Sequence, residues 1–521
     1  MPARRRGSAF RTPTQRAQLW EKKMDGETYS RILSRTKHLA LPRITEYQAV
    51  HENLISIVKS VLERLGKSHQ THEYMWYAEE LYKATQTYTG QALQNKVNAI
   101  YAKYRAQKLD DDALMKIANS FGLTPDPIEK IFEISLVGPG GGPPFIVIAA
   151  TDTPSFLKGR ANIVCDGVSD QEEINSALNS APTVYLCPGT YIIDATITIP
   201  SHRQLIGAGP SSVIKLKDNY NADIYMIQNS NQTDGNTEIT ISNLTIDGNR
   251  RNQTGGRVYG MHLIKVTSSK IESCVLKDFS SYYDEGIYAS MLRDVEFIGN
   301  TSLDTLYVLD IYDSRRITVS RNTCTSSQEP LIFYGCDYCI ISENLLITGL
   351  WTGISLWESN YNVISGNICI DHNSRGIYVG DSFGNIISEN ICQNNDFMGI
   401  ELDYGGNNVV AGNYAESNGF AGITVTASND NLIIGNQCYK NAYYGIIIRD
   451  SGCYNLVSGN IVRSGGITSY GININDSGCT LNVIEGNNLY QSGTYGDILD
   501  SGTNTRKRDN IGNNGLWLAD A

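Results

Sequence analysis

Asn362-Val363-Ile364-Ser365-Gly366-Asn367-Ile368-Cys369 is followed 23 residues on by Asn385-Ile386-Ile387-Ser388-Glu389-Asn390-Ile391-Cys392, and 23 further on by Asn408-Val409-Val410-Ala411-Gly412-Asn413-Tyr414-Ala415. The second asparagine of this pattern marks nine units, at Asn300, Asn322, Asn344, Asn367, Asn390, Asn413, Asn436, Asn460 and Asn487. Steps between markers run from 22 to 27 residues. An apolar residue stands three places before each marker, from Phe297 to Ile484, and an asparagine five places before six of them, from Asn362 to Asn482. Gly-Ile pairs add a third column at Gly353, Gly376, Gly399, Gly422, Gly445 and Gly471, with Gly286-Ile287 upstream.

Each unit holds short β-branched runs broken by Gly, Asn, Asp and Ser, which leaves no room for a helix. A leucine-rich repeat needs a Leu and Asn spacing that is absent. A coil of short parallel strands, each pairing with the next coil, satisfies all three columns. Inward residues then stack at about 4.8 Å. The asparagines are expected in turns, where they accept left-handed backbone and bond the amide of a neighbouring coil.

The repeats, with Cys165-Asp166-Gly167, Asp170, Glu173-Ile174, Thr183-Val184-Tyr185-Leu186, Pro188-Gly189-Thr190-Tyr191 and Leu205-Ile206-Gly207-Ala208-Gly209 before them, resemble the pectin-lyase-like superfamily over about residues 145 to 515. The resemblance implies a mainly β protein, a right-handed parallel β-helix capped by a helix from Asp170 to Leu178. That superfamily holds lyases, hydrolases, epimerases and viral tail spikes alike, so fold alone does not choose the function.

Upstream the period becomes helical. Ile44, Tyr47, Val50, Leu54, Ile57, Val58, Val61 and Leu65 form one apolar stripe. Further helices are expected at Glu73–Tyr88, Gln91–Gln107 and Asp111–Ser120, the last with an acidic first turn. The organisation expected is a basic arm at 1–16, a helical anchoring or assembly domain at 17–135, a Gly/Pro linker at 136–144, the β-helix at 145–500 and a C-terminal cap at 501–521. Residues 1–135 carry 21 Lys and Arg against 15 Asp and Glu, so the remainder of a chain of net charge −11 stands at −17. Different partners are therefore expected for the two parts.

Ala113 to Ile128 has the outline of a helix-turn-helix, but its second helix offers Asp126, Glu129 and Glu133 against Lys130 alone. Acids there repel phosphate and most base edges, so nucleic acid is not an expected partner. No apolar run reaches the ~18 residues of a membrane span, and no apolar segment follows Arg4-Arg5-Arg6, so neither a span nor a signal peptide is expected.

All eleven cysteines lie after residue 164, and Cys324, Cys369, Cys392 and Cys438 share a column with Leu346, Ala415 and Val462. They are read as free core thiols. Cys336-Asp337-Tyr338-Cys339 lacks partner ligands, so no metal and no cofactor are expected.

Polysaccharide hydrolases of the superfamily use paired aspartates, often near Gly-His-Gly, and its lyases use calcium-binding acids with Arg or Lys. From residue 136 onward the chain has no Asp-Asp, no Gly-His-Gly and only His202, His262 and His372. What remains is a composite surface: Ile400 and Leu402 point inward, so Glu401 and Asp403 point out. With Asp381 these are the candidate catalytic acids; Trp357, Glu358, Tyr378, Arg449 and Asp450 are the candidate carbohydrate-binding residues. Acids one or two coils apart fit glycosidase separations of about 5 to 10 Å. The plain alternative is that outward positions of any soluble β-helix are polar.

Together these point to a virion or extracellular component of spike, fibre or decoration type. Its helical domain meets other virion proteins, its β-helix meets a host glycan, and the resemblance implies a homo-oligomer, a trimer in viral spikes. The alternative is an extracellular polysaccharide-degrading hydrolase or lyase.

Overall fold

The computed structural model describes residues 145–520 apart from 282–283, 326, 464–469 and 513, together with stretches between residues 55 and 123. The basic arm, the Gly/Pro linker and the second half of the helix-turn-helix outline lie outside the described residues. The chain divides into two compact units, 1–134 and 135–521.

In the first unit helices run over Thr71–Thr87 and Asp111–Ser120. Asp110 caps the second, its carboxylate accepting from the Ala113 amide at 3.0 Å, which satisfies one of the donors that a helix start leaves free. The Asp110 amide donates to the Tyr74 hydroxyl at 2.9 Å, tying the two helices. Val58 and Val61 of the expected stripe are buried with Leu62, Tyr74, Tyr77, Leu81, Leu114 and Ile117. No helix among the described residues is long and apolar enough to cross a membrane.

The second unit is a parallel β-helix. One coil carries Val363–Ser365 in sheet A, Ile368–Ile370 in sheet B and Ile377–Gly380 in sheet C, and each strand pairs in parallel with the strand one repeat later: Ile364 with Ile387, Cys369 with Cys392, Tyr378 with Glu401. Among the described residues sheets B and C hold 12 and 13 strands. The inward residues of all three form one continuous core. Cys324, Cys369, Cys392 and Cys438 are buried in it, and all eleven cysteines are free.

The marker asparagines are not left-handed themselves. That conformation falls on the residue before each one, such as Gly366, Glu389 and Gly412, and turns the next side chain inward. There Asn390 accepts from the Asn367 backbone amide and side-chain amide at 3.0 Å, and donates to the Ile364 carbonyl and to Asn413 Oδ1 at 2.9 Å. The ladder runs from Asn300 to Asn510. Asn362 to Asn482 form a second, and His372, Asn395, Asn418 and Asn441 a third, at the turn from sheet B to sheet C. In a closed solenoid these amides satisfy buried backbone groups that no water reaches.

The Gly-Ile column answers to a close approach. A Cβ at Gly376 would lie 2.7 Å from the Gly399 carbonyl oxygen, and one at Gly399 would lie 2.6 Å from that of Gly422. At the N-terminal end the capping helix spans Gln171–Ser180, two residues beyond the expected Leu178, and buries Ile174, Ala177 and Leu178 against the first coils. The last strand, Arg506–Arg508, still pairs in parallel with Val483–Glu485. Beyond it Ile511 meets Trp517 in an antiparallel bridge.

Candidate carbohydrate-binding face

Outward residues of sheet C form columns because the strands stay in register. One column reads His262, Tyr288, Asp310, Ile332, Ser355, Tyr378, Glu401 and Thr424. Beside it Tyr312, Tyr334, Trp357, Gly380, Asp403, Thr426 and Arg449 follow one another.

Of the residues expected at the site, the fold brings together Trp357, Tyr378, Glu401, Asp403 and Arg449. Glu401 points outward yet is only 1% exposed, because Arg375 and Arg449 close over it. Arg375 Nε donates to Glu401 Oε2. Arg449 and the Thr426 hydroxyl donate to Oε1, each at 3.1 Å. The Arg375 guanidinium lies 4.9 Å from the Tyr378 ring centroid. Tyr378 donates its hydroxyl to Asp403 Oδ2 at 2.9 Å, and burial together with this carboxylate pushes the phenol well above its ordinary range. Asp403 Oδ1 is buried without a partner, and burial raises that carboxyl.

Glu358, Asp381 and Asp450 stand apart, one residue past their strands on left-handed turn positions. There Glu358 accepts from the Tyr334 hydroxyl at 2.6 Å, and Asp450 lies 3.6 Å from Arg449. Asp381 is exposed and its amide donates to the Asp403 carbonyl.

The face extends further than the sequence reading reached. Ring centroids are 4.0 Å apart for Tyr225 and His262, 5.3 Å for His262 and Tyr288, 5.5 Å for Tyr288 and Tyr312, and 6.0 Å for Tyr312 and Tyr334. Tyr334 pairs in register with Trp357, whose ring lies 4.5 Å from that of Tyr378. Six coil steps give an aromatic strip about 29 Å long. Glu285 and Glu329 flank it in one column through Tyr307, and Asp310 sits between them in the next. Burial pushes Glu285 up to about 8, helped by the Asp310 charge, and Asp310 to about 7. Glu329 is also raised by burial, against a hydrogen bond from Ser355. The register could have found these residues, since counting back from Tyr378 by one repeat at a time reaches Asp310. Arg375 carried no such signal, because it precedes its strand.

Fold and face define a right-handed parallel β-helix of the pectin-lyase-like class with an elongated aromatic and acidic outer strip. The sequence matches the family described as periplasmic copper-binding protein (NosD) over residues 196–395, 268–441 and 398–516, more than half of the chain, and the protein belongs to that family. It is 28% identical over 184 residues to the preneck appendage protein of Bacillus phage PZA, covering 35% of this chain and 18% of that protein. It is 38% identical over 109 residues to mannuronan C5-epimerase AlgE2 of Azotobacter vinelandii, 18% of this chain and 11% of that one. The chain thus spans less than a fifth of either relative. Among solved structures the A-module of mannuronan C-5 epimerase AlgE6 from the same organism overlays with a TM-score of 0.49 at 18% identity, over 66% of this chain and 96% of that one.

Copper, named in the family's description, prefers imidazole and thiolate donors. Among the described residues the one group of three donors within 4.8 Å is Cys165, Asp170 and Glu173. Burial pushes the Cys165 thiol well up, and the Asp170 oxygens already accept from the Gly167 and Ile192 amides. No histidine joins them, so the donor set does not fit copper.

Proposed function

We propose that the protein is a structural component of a virus-particle appendage or spike, with residues 1–135 as its attachment to other virion proteins and the outer face of sheet C as a binding strip for host-surface glycan. The observation that carries the glycan reading is the run of rings on successive coils from Tyr225 to Tyr378, because pyranose faces stack on aromatic rings and polar groups alongside fix orientation. Trp357 is 38% exposed and offers its ring to solvent. In this reading Glu401 holds Arg375 and Arg449 in place, the partnerless Asp403 oxygen accepts a sugar hydroxyl, and Glu358 and Asp450 line the rim. The likeness to a preneck appendage protein supports the virion assignment. A homo-oligomer, a trimer by the analogy with viral spikes, belongs to the same proposal, and light scattering at micromolar concentration tests it.

A second reading, polysaccharide cleavage with Asp403, Glu401 and Asp381 as the acids, draws on one feature: a carboxyl raised by burial against a phenol. Both readings meet in one experiment. The full chain is incubated with an oligosaccharide array, binding is measured, and products are sought by mass spectrometry. Binding without products is expected, and Trp357→Ala is expected to weaken it about tenfold, the loss of one stacking contact of ~1.4 kcal/mol. New reducing ends or unsaturated products that vanish in Asp403→Asn would instead establish the enzyme. Co-sedimentation with capsid or tail proteins in a density gradient tests the virion assignment, and recovery only as free protein would remove it.

A further inference from the structure

The strip contains a second concentration of polar atoms, four strand positions from Glu401 along the same column, and it differs in kind. His262 Nδ1, Glu285 Oε2 and Asp310 Oδ1 are buried and have no hydrogen-bond partner. They come from three successive strands of sheet C, with His262, Tyr288 and Asp310 in one column and Glu285 in the next. Asp310 is 7% exposed, and its other oxygen accepts from the Tyr312 hydroxyl at 3.1 Å. Buried polar groups left unpaired are uncommon and costly. Three on adjacent coils of an outward face amount to an arrangement awaiting hydroxyl groups. Among the described residues no guanidinium or ammonium group pairs with Glu285 or Asp310, whereas Glu401 has two. A sugar carboxylate would find no counter-charge there and would lose its water.

We propose that His262, Glu285 and Asp310 form the polar wall of a second glycan subsite, which takes an uncharged pyranose with its face on Tyr288 and its hydroxyls on the three partnerless atoms. This subsite rests on the glycan-binding reading and adds to it a preference for neutral sugar at this end of the strip.

The titration of the wall supplies the test. The groups facing Asp310 are Glu285 and Glu329 from the flanking strands, Tyr288 and Tyr312 around it, His262 two coils back, and Arg375 beyond Glu329. Glu285 and Asp310 are neutral below about 7 and can donate to a sugar oxygen. Above about 8 both are carboxylates that only accept and that repel each other. Burial lowers the His262 imidazole from its ordinary range, which favours its neutral form. The full chain is titrated with fragments of dextran and mannan, and separately of alginate and pectate, at about pH 6 and about pH 9. Binding of a neutral fragment is expected to weaken at least about tenfold on raising the pH. Asp310→Asn, which donates at either pH, is expected to blunt that loss, and Tyr288→Ala to remove binding at both. Neutral-fragment binding that ignores pH, Asp310→Asn and Tyr288→Ala but disappears in Trp357→Ala overturns the subsite and leaves the strip standing. Preferential uronate binding that Tyr288→Ala removes overturns the neutral assignment. No binding of any fragment by the wild-type chain overturns the glycan reading, and the subsite with it.

Discussion

Asn390→Leu is expected to lower the stability of the solenoid by about 4 kcal/mol, the largest effect of a single substitution considered for this chain. The change removes four hydrogen bonds at a position that is 0% exposed. It leaves the Asn367 backbone amide without a partner, takes an acceptor from the Asn367 side-chain amide, and removes from the Ile364 carbonyl the donor it has beside its ladder bond. Each orphaned group carries roughly 1 to 3 kcal/mol of desolvation, and leucine has no atom with which to answer. Because each coil touches only its neighbours, the loss is local. The measurement is amide hydrogen exchange across residues 364 to 413 alongside thermal unfolding. Asn510→Leu, at the last rung, with no rung beyond it to which it donates, is the internal control and is expected to cost less. Equal protection in wild type and Asn390→Leu would mean that the ladder decorates the core and does not hold it.

Glu401→Leu is the second. A carboxylate 1% exposed and held by two guanidinium groups has no water to replace them, so removal leaves two cations facing one another. Breaking a buried pair costs about 3 to 5 kcal/mol. The low end is expected, because Arg375 and Arg449 are 32% and 28% exposed and keep part of their hydration. The triple change Arg375→Met, Glu401→Leu and Arg449→Leu is expected to recover most of the lost stability, since desolvation of all three charges is then avoided. Glycan binding at Trp357 and Tyr378 should not return with it, because the Arg375 guanidinium that lies over Tyr378 is gone. Thermal unfolding and the oligosaccharide array separate the two effects. A triple variant no more stable than Glu401→Leu would refute the ion-pair account.

Much of the fold was legible because a solenoid repeats its contacts at a fixed interval, so Asn, Gly and Cys columns in the sequence are columns in space. The reason behind a column was less legible. Asn367 was expected both to take left-handed backbone and to bond the neighbouring coil; Gly366 takes the conformation, and Asn367 keeps the second role, spanning two coils with its amide. The third ladder was hidden because His372 opens it where an asparagine would have announced it.

For the face, alternation after each Gly-Ile pair was enough to turn Glu401 and Asp403 outward. It could not tell that Asp403 would face the Tyr378 hydroxyl while Asp381, two residues from Gly-Ile-Tyr-Val, would fall on the turn. By itself the sequence determined the coil, its register and which side chains leave the core, since these follow from local periodicity repeated until it is unambiguous. Only the tertiary structure decided that Glu401 is sealed between Arg375 and Arg449, that Asp403, Glu285, Asp310 and His262 keep buried atoms without partners, and that the rings from Tyr225 to Tyr378 form one strip. Burial and pairing on an outer face depend on side chains that are neighbours across coils, more than twenty residues apart in the chain, and no local pattern encodes the direction in which each one leans.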